Sequence, residues 1–322
     1  MVARGLRSDH GASAYRADVD PWVAPDAQAE PPPRPAAAPV GPARRVGAGR
    51  PEVPVPLRPL GVGERLDGAL RILKLAPSTV LTLTAVAVVP VELLSSALLR
   101  LGDDPIARAT FGAPMTSLVT DDTGAGAAGP LIFFLLDALA LLWVTAGLSQ
   151  LVTGWHVGRR DDTATLLRSG VQRLPALVGA VLLVHLAEGV GLVALLVGAL
   201  VPMTWFALTA PVIGAEQVGA VKAMGRSFSL AKRAFLSVLG TCVLVGIVAT
   251  GLRVALAGLG ALAIESSVPG EWVLLTAIGI VVRLVVEPLV AGTAVLLYLD
   301  LRVRHEGLDI ELAAIDRIDR AR

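Results

Sequence analysis

The sequence predicts an all-α fold: a polytopic transmembrane bundle of about six spans, with three cytoplasmic amphipathic helices at the membrane interface. Three observations predict it. Over 322 residues the chain is 54% hydrophobic and 17% charged, with a mean hydropathy of +0.69, too little polar surface to enclose a water-soluble core of this size. Apolar runs of about 20 residues or more recur from Pro77 onward, the length that crosses a hydrocarbon layer of about 30 Å. Cations collect between those runs, so a formal net charge of +1 conceals short, strongly basic collars. The lone cysteine, Cys242, lies in an apolar run and excludes an intrachain disulfide.

Residues 1–57 hold eleven of the 22 prolines and almost no aliphatic periodicity. Such a stretch cannot bury enough apolar surface to offset its ordering entropy, so a disordered Pro/Ala-rich cytoplasmic tail is expected. No apolar run follows the early arginines, which argues against a cleaved signal peptide. A transmembrane domain is then expected over 58–312, followed by a mobile tail over 313–322.

Leu60 to Leu75 is the first amphipathic piece. Leu66, Leu70 and Leu73 form its apolar row, and Asp67, Arg71 and Lys74 follow one position behind. Pro77 suits the first turn of span 1, Pro77 to Leu99. Residues 100–130 are polar, with Asp103, Asp104, Asp121 and Asp122, and read as a loop. Span 2 runs from Leu131 to Thr153, with Trp155 and His156 at its interfacial end. Asp162 can cap a second amphipathic helix carrying Leu167, Val171 and Leu174, which should stop at Pro175.

Ala176 to Glu216 is apolar for about forty residues, twice the length of one crossing. Basic collars at both ends require an even number of crossings, so a turn is expected near Leu200 to Thr204. The fourth span is then short, or re-entrant. The next collar places Val221, Met224, Phe228, Ala231 and Phe235 on one stripe and Lys222, Arg226, Ser229 and Arg233 on the neighbouring strip. Lys222, Arg226, Lys232 and Arg233 are therefore candidate lipid-headgroup contacts. Span 5 covers Phe235 to Leu262 and span 6 covers Trp272 to Leu299. The cation bias puts both termini on the cytoplasmic side. Three units of amphipathic helix plus hairpin suggest a parallel internal repeat.

Three stretches carry a resemblance: RPLGVGERLDGALRI at 58–72, PVIGAEQVGAVKAMGRSFSLAKRAF at 211–235 and YLDLRVRHEGLDIEL at 298–312. Together they resemble bacterial multi-pass proteins of the glycerophosphoryl diester phosphodiesterase membrane-domain type, including actinobacterial members. Pro211, Glu216, Ala223, Arg226, Ser227, Leu230 and Phe235 match that pattern, while Phe228 stands where Trp is common. The resemblance implies a multi-pass helical protein of the bacterial cytoplasmic membrane. Some members carry a separate soluble phosphodiesterase domain; none is recognisable in this chain, so the resemblance does not imply that activity.

No catalytic constellation emerges from the residues. His185 and Glu188 share a helix face at i, i+3, but two ligands do not make a zinc site, and no metal or cofactor is expected. Glycine-rich stretches lack the lysine and preceding strand of a phosphate loop, and nothing suggests a nucleic-acid partner. The remaining chemistry is a set of polar residues inside spans: Glu92, Asp137, His185, Glu188, Arg253, Arg283 and Glu287. Each charge there costs on the order of 3 kcal/mol near the bilayer centre, so these residues should meet in an intramembrane cluster. The expected function is that of a non-catalytic, lipid-contacting or assembly module. The alternative is a transporter or channel that uses the intramembrane charges.

Overall fold

The computed structural model describes residues 58–99, 128–194, 196–262, 271–308 and 310. The expectations for the tails at 1–57 and 313–322 and for the acidic loop within 100–127 lie outside the described residues. Nine α-helices occur among the described residues, and no strand. They are α1 (Val62–Leu75), α2 (Pro77–Leu99), α3 (Ala128–His156), α4 (Thr163–Ala194), α5 (Leu200–Phe206), α6 (Thr209–Glu216), α7 (Ala220–Ala231), α8 (Phe235–Leu262) and α9 (Glu271–Glu306). Short 3₁₀ turns, Leu196–Ala199 and Lys232–Ala234, lead into α5 and α8.

Five helices, α2, α3, α4, α8 and α9, are long and apolar enough to cross a membrane. The protein is an all-α polytopic membrane protein. At 36 residues, α9 rises about 54 Å, longer than the whole bilayer, so its charged C-terminal turns project beyond the hydrocarbon. It is also the central element, packing against α1, α2, α3 and α8. The apolar core, with Leu148, Leu177, Ile213 and Leu296 fully buried, lies among α3, α4, α6 and α9.

The second amphipathic piece departs from the sequence expectation. Its N-terminus is capped by Asp162, whose Oδ1 accepts the Thr165 N–H at 3.2 Å. Pro175 does not end it, and α4 runs through as one helix of 32 residues. Proline leaves the carbonyl of Val171 unpaired. Val171 is 57% exposed, so that carbonyl can be satisfied by the wet interface.

The fourth span is also different. The turn expected near Leu200 to Thr204 is absent; Pro202 sits inside α5, and the chain turns at Leu196–Ala199 instead. The segment Leu200–Glu216 is shorter than the five long helices and is broken between α5 and α6. Ser227 of α7 holds the break open. Its hydroxyl accepts the Leu208 N–H at 3.1 Å and donates to the Trp205 carbonyl at 2.7 Å, satisfying backbone groups that a continuous helix would have paired internally. Behind the break, α6 lies so close to α3 that a Cβ on Gly214 would stand 2.2 Å from the Ala146 carbonyl oxygen.

The amphipathic helices α1 and α7 start alike. Gly61 and Gly219 cap them with φ/ψ of −72°/164° and −73°/165°. Counting from each cap, the same positions turn inward: Arg65, Ala69 and Ile72 in α1, and Ala223, Ser227 and Leu230 in α7. Leu166, at the first of these positions after Asp162, is buried as well. The expected apolar rows are left outward in part, with Leu70 42% and Val221 75% exposed. Helix α1 runs antiparallel along α9, with Gly292 against Ala69 and Arg65 reaching Asp300.

Candidate functional site: a buried ion-pair cluster beside an apolar cavity

Four helices bring five of the charged span residues together. Arg283 of α9 is the hub. Its Nη1 donates to Glu92 Oε2 of α2 at 3.0 Å and to Asp137 Oδ1 of α3 at 2.6 Å, and its Nε lies 3.6 Å from Glu287 Oε1 one turn on. Arg253 of α8 donates from Nη2 to the same Glu287 oxygen at 3.0 Å. Glu92, Arg283 and Glu287 are 3%, 7% and 4% exposed. The helical rise places Glu92, Asp137 and Arg253 about 22 to 28 Å from the ends of their helices at Pro77, His156 and Phe235. At that depth an unpaired charge would face hydrocarbon, and pairing replaces most of the lost hydration.

Three carboxylates meet two guanidiniums here, and Glu287 Oε2 is buried with no hydrogen-bond partner among the described residues. Gly279 makes room for the cluster: a Cβ there would stand 3.1 Å from Glu92 Oε1. His185 and Glu188 stay outside the five. They pair with each other on α4, Nδ1 to Oε2 at 2.6 Å, and the His185 ring lies 5.1 Å from that of Phe134.

A cavity of about 380 Å³ links the two groups. Helices α4 and α8, which share almost no contact with each other, line it together with α3, α5, α6 and α9. Its walls are mostly aliphatic, with His185, Glu188, Arg253 and the Cys242 thiol as the ionisable groups. Among the described residues no three His, Cys, Asp or Glu side chains stand close enough to hold a metal ion.

The collar cations divide. Lys222, Lys232 and Arg233 are exposed, and the Lys232 ammonium lies 5.3 Å from the Phe228 ring centroid. Arg226 is instead held between carboxylates, donating to Glu216 at 3.0 Å and Glu306 at 2.7 Å. It locks the end of α6 to the end of α9. Glu216 also accepts the Tyr298 hydroxyl at 2.9 Å.

Sequence reasoning missed a second buried pair, Arg65 with Asp300, at 2.7 Å and 2% and 1% exposed. Asp300 further accepts the Leu60 N–H at 2.6 Å and Arg304 Nε at 3.0 Å, while Arg65 Nη1 donates to Thr241 at 2.6 Å. The available signal was Gly68 and Ala69 beside Arg65 on one helix face, small residues that permit close packing around an inward guanidinium.

The fold and cluster define the class: a polytopic α-helical membrane protein whose helices are tied by buried ion pairs at one level and by a polar collar at the other. No family model, curated protein or solved structure matches the chain.

Proposed function

We propose that this protein is a lipid-contacting module of the bacterial cytoplasmic membrane, without catalytic activity of its own and with both termini cytoplasmic. It is of the type suggested by its resemblance to the glycerophosphoryl diester phosphodiesterase membrane domains. The carrying observation is the cavity between α4 and α8, about 380 Å³ and chiefly aliphatic, beside exposed apolar side chains such as Leu182 and Ile247. That volume and lining suit an acyl chain, and the exposed Lys222, Lys232 and Arg233 suit anionic headgroups near the collar.

The test fills the cavity. A Cβ on Gly246, which lines it, would meet nothing within 4 Å, so Gly246→Trp can occupy the space without displacing backbone. Phospholipid retained through detergent purification, and crosslinking by a diazirine-bearing acyl chain, should fall severalfold while thermal stability holds. Unchanged retention and crosslinking would defeat the reading.

One observation favours a second reading, a proton or cation carrier: the unpartnered Glu287 Oε2 in a cluster with surplus carboxylate. Vesicles containing the protein would then dissipate a pH gradient, and Glu287→Gln would stop it. Vesicles no leakier than protein-free ones would remove this alternative.

A further inference from the structure

Two adjoining hollows open among the loop ends of α3, α4 and α6, at the collar end of the molecule, with volumes of about 230 and 370 Å³. They share Gln150, Arg159 and Gln217 as lining residues. Arg173, half-buried, lines the larger one. Its Nη1 donates to two neutral acceptors, Gln150 Oε1 and the Gly214 carbonyl, each at 3.0 Å. No carboxylate among the described residues pairs with it, and its remaining N–H groups make no hydrogen bond there. Burying a guanidinium against neutral acceptors alone leaves its charge uncompensated.

Gln150 supplies an independent sign. It is 5% exposed, and its Oε1 is committed to Arg173 and to the Ser169 hydroxyl. Its Nε2 is left as a double donor with no partner among the described residues, in a side chain that faces both hollows. Among the described residues the only carboxylate lining either hollow is Asp161, which Arg159 neutralises at 2.9 Å. In the smaller hollow Arg302 is held by Glu306 at 3.0 Å. What remains among the described lining residues is a cation and an amide donor converging on space, with no free carboxylate opposite them.

We infer that the hollow bounded by Arg173, Gln150 and Arg159 is a binding site for a phosphate group. A guanidinium fork with a neighbouring amide matches the oxygens of a phosphate, and the site stands at the basic end of the spans, where phosphates are plentiful. The phosphate can belong to a lipid headgroup or to a soluble molecule, and the recognition chemistry is the same. The inference does not rest on the lipid-module reading, which turns on the cavity between α4 and α8.

The full chain in maltoside micelles separates the sources by calorimetric titration. One arm adds inorganic phosphate, with chloride as control; the other adds phosphatidic acid, with diacylglycerol of the same chains as control. Saturable binding in the first arm identifies a soluble phosphate, in the second a headgroup, and in both a site for the phosphate itself. Arg173→Gln should weaken that binding at least tenfold. Gln150→Glu should do the same without lowering the thermal midpoint, because the new carboxylate sits where Arg173 and Ser169 already donate. Neutralising the exposed Lys74 of α1, which lines neither hollow, should change little. Four results overturn the inference: neither phosphate source binds beyond its control, Gln150→Glu binds like the parent, Gln150→Glu fails to fold, or the Lys74 variant loses as much as Arg173→Gln.

Discussion

At the residue scale, the decisive side chains are those whose charge is spent inside the protein. Asp300 holds Arg65, Arg304 and the Leu60 N–H at once, so it fastens the start of α1 to the end of α9. Arg65→Met removes the buried partner and leaves the carboxylate undercompensated, which should cost about 3 to 5 kcal/mol. Unfolding in mixed micelles by denaturant would show it, and adding Asp300→Asn to the same chain should recover part of the loss. If the double variant is as unstable as the sum of the singles, the two residues do not act as a pair. Gly214→Val makes a second prediction. With a Cβ 2.2 Å from the Ala146 oxygen, α6 must separate from α3, and a loss of about 3 kcal/mol or more is expected by the same measurement. An unaffected variant would mean that the two helices are not in contact.

At the element scale, the amphipathic pattern was legible but the direction each helix faces was not. Periodicity identified the rows Leu66, Leu70, Leu73 and Val221, Met224, Phe228, yet the faces that pack inward are built on Arg65, Gly68, Ala69 and on Ala223, Ser227, Leu230. In a membrane the solvent is itself apolar, so the most hydrophobic stripe can face lipid. The inner face then selects small residues and side chains that hydrogen-bond. This divides the basic collar by role. Neutralising Lys222, Lys232 and Arg233 together should weaken association with phosphatidylglycerol vesicles by about 1 kcal/mol per charge near the surface. Arg226→Gln should instead lower stability, because Glu216 and Glu306 lose their shared partner. Vesicle flotation and thermal melting read the two effects separately, and the assignment fails if Arg226→Gln acts on flotation alone.

The start of α1 adds a pH dependence. The Gly61 N–H, and after it the Arg58 guanidinium, holds the Glu64 carboxyl below its ordinary 4.5. A lowered folded value means stability that is present above pH 4.5 and lost as the pH falls through the folded value beneath it. Glu64→Gln should flatten that part of the acid melting curve. An identical curve would show that this cap contributes nothing.

At the scale of the whole molecule, orientation is the open physical question with the clearest test. The collars at Arg159 to Arg173, Lys222 to Arg233 and Arg302 to Arg304 carry the cations, and the segment at 100–127 carries mostly acids. In a Cys242→Ala background, a cysteine at Gly225, which is exposed on α7, should label from the cytoplasmic side. A cysteine at Asp121 should label from the opposite side. Ser227 would be a poor probe, being fully buried in the break between α5 and α6. Labelling of both positions from one side would defeat the proposed topology.

By itself the sequence determined the helical class, the long apolar runs, counted as about six spans where the structure has five long helices and the shorter Leu200–Glu216, and the identity of the charges that had to avoid lipid. Those properties follow from composition and run length, because a bilayer imposes its thickness and its intolerance of unpaired polar groups on any chain that crosses it. Only the tertiary structure decided which carboxylate meets which arginine, why Leu200–Glu216 breaks, and which collar cations remain exposed. Those outcomes depend on contacts between residues such as Glu92 and Arg283, 191 positions apart, and on a serine from α7 substituting for helical hydrogen bonds in α5 and α6. Local periodicity carries no information about such partners. They are fixed only when separate helices approach closely enough for one side chain to complete another's hydrogen bonds.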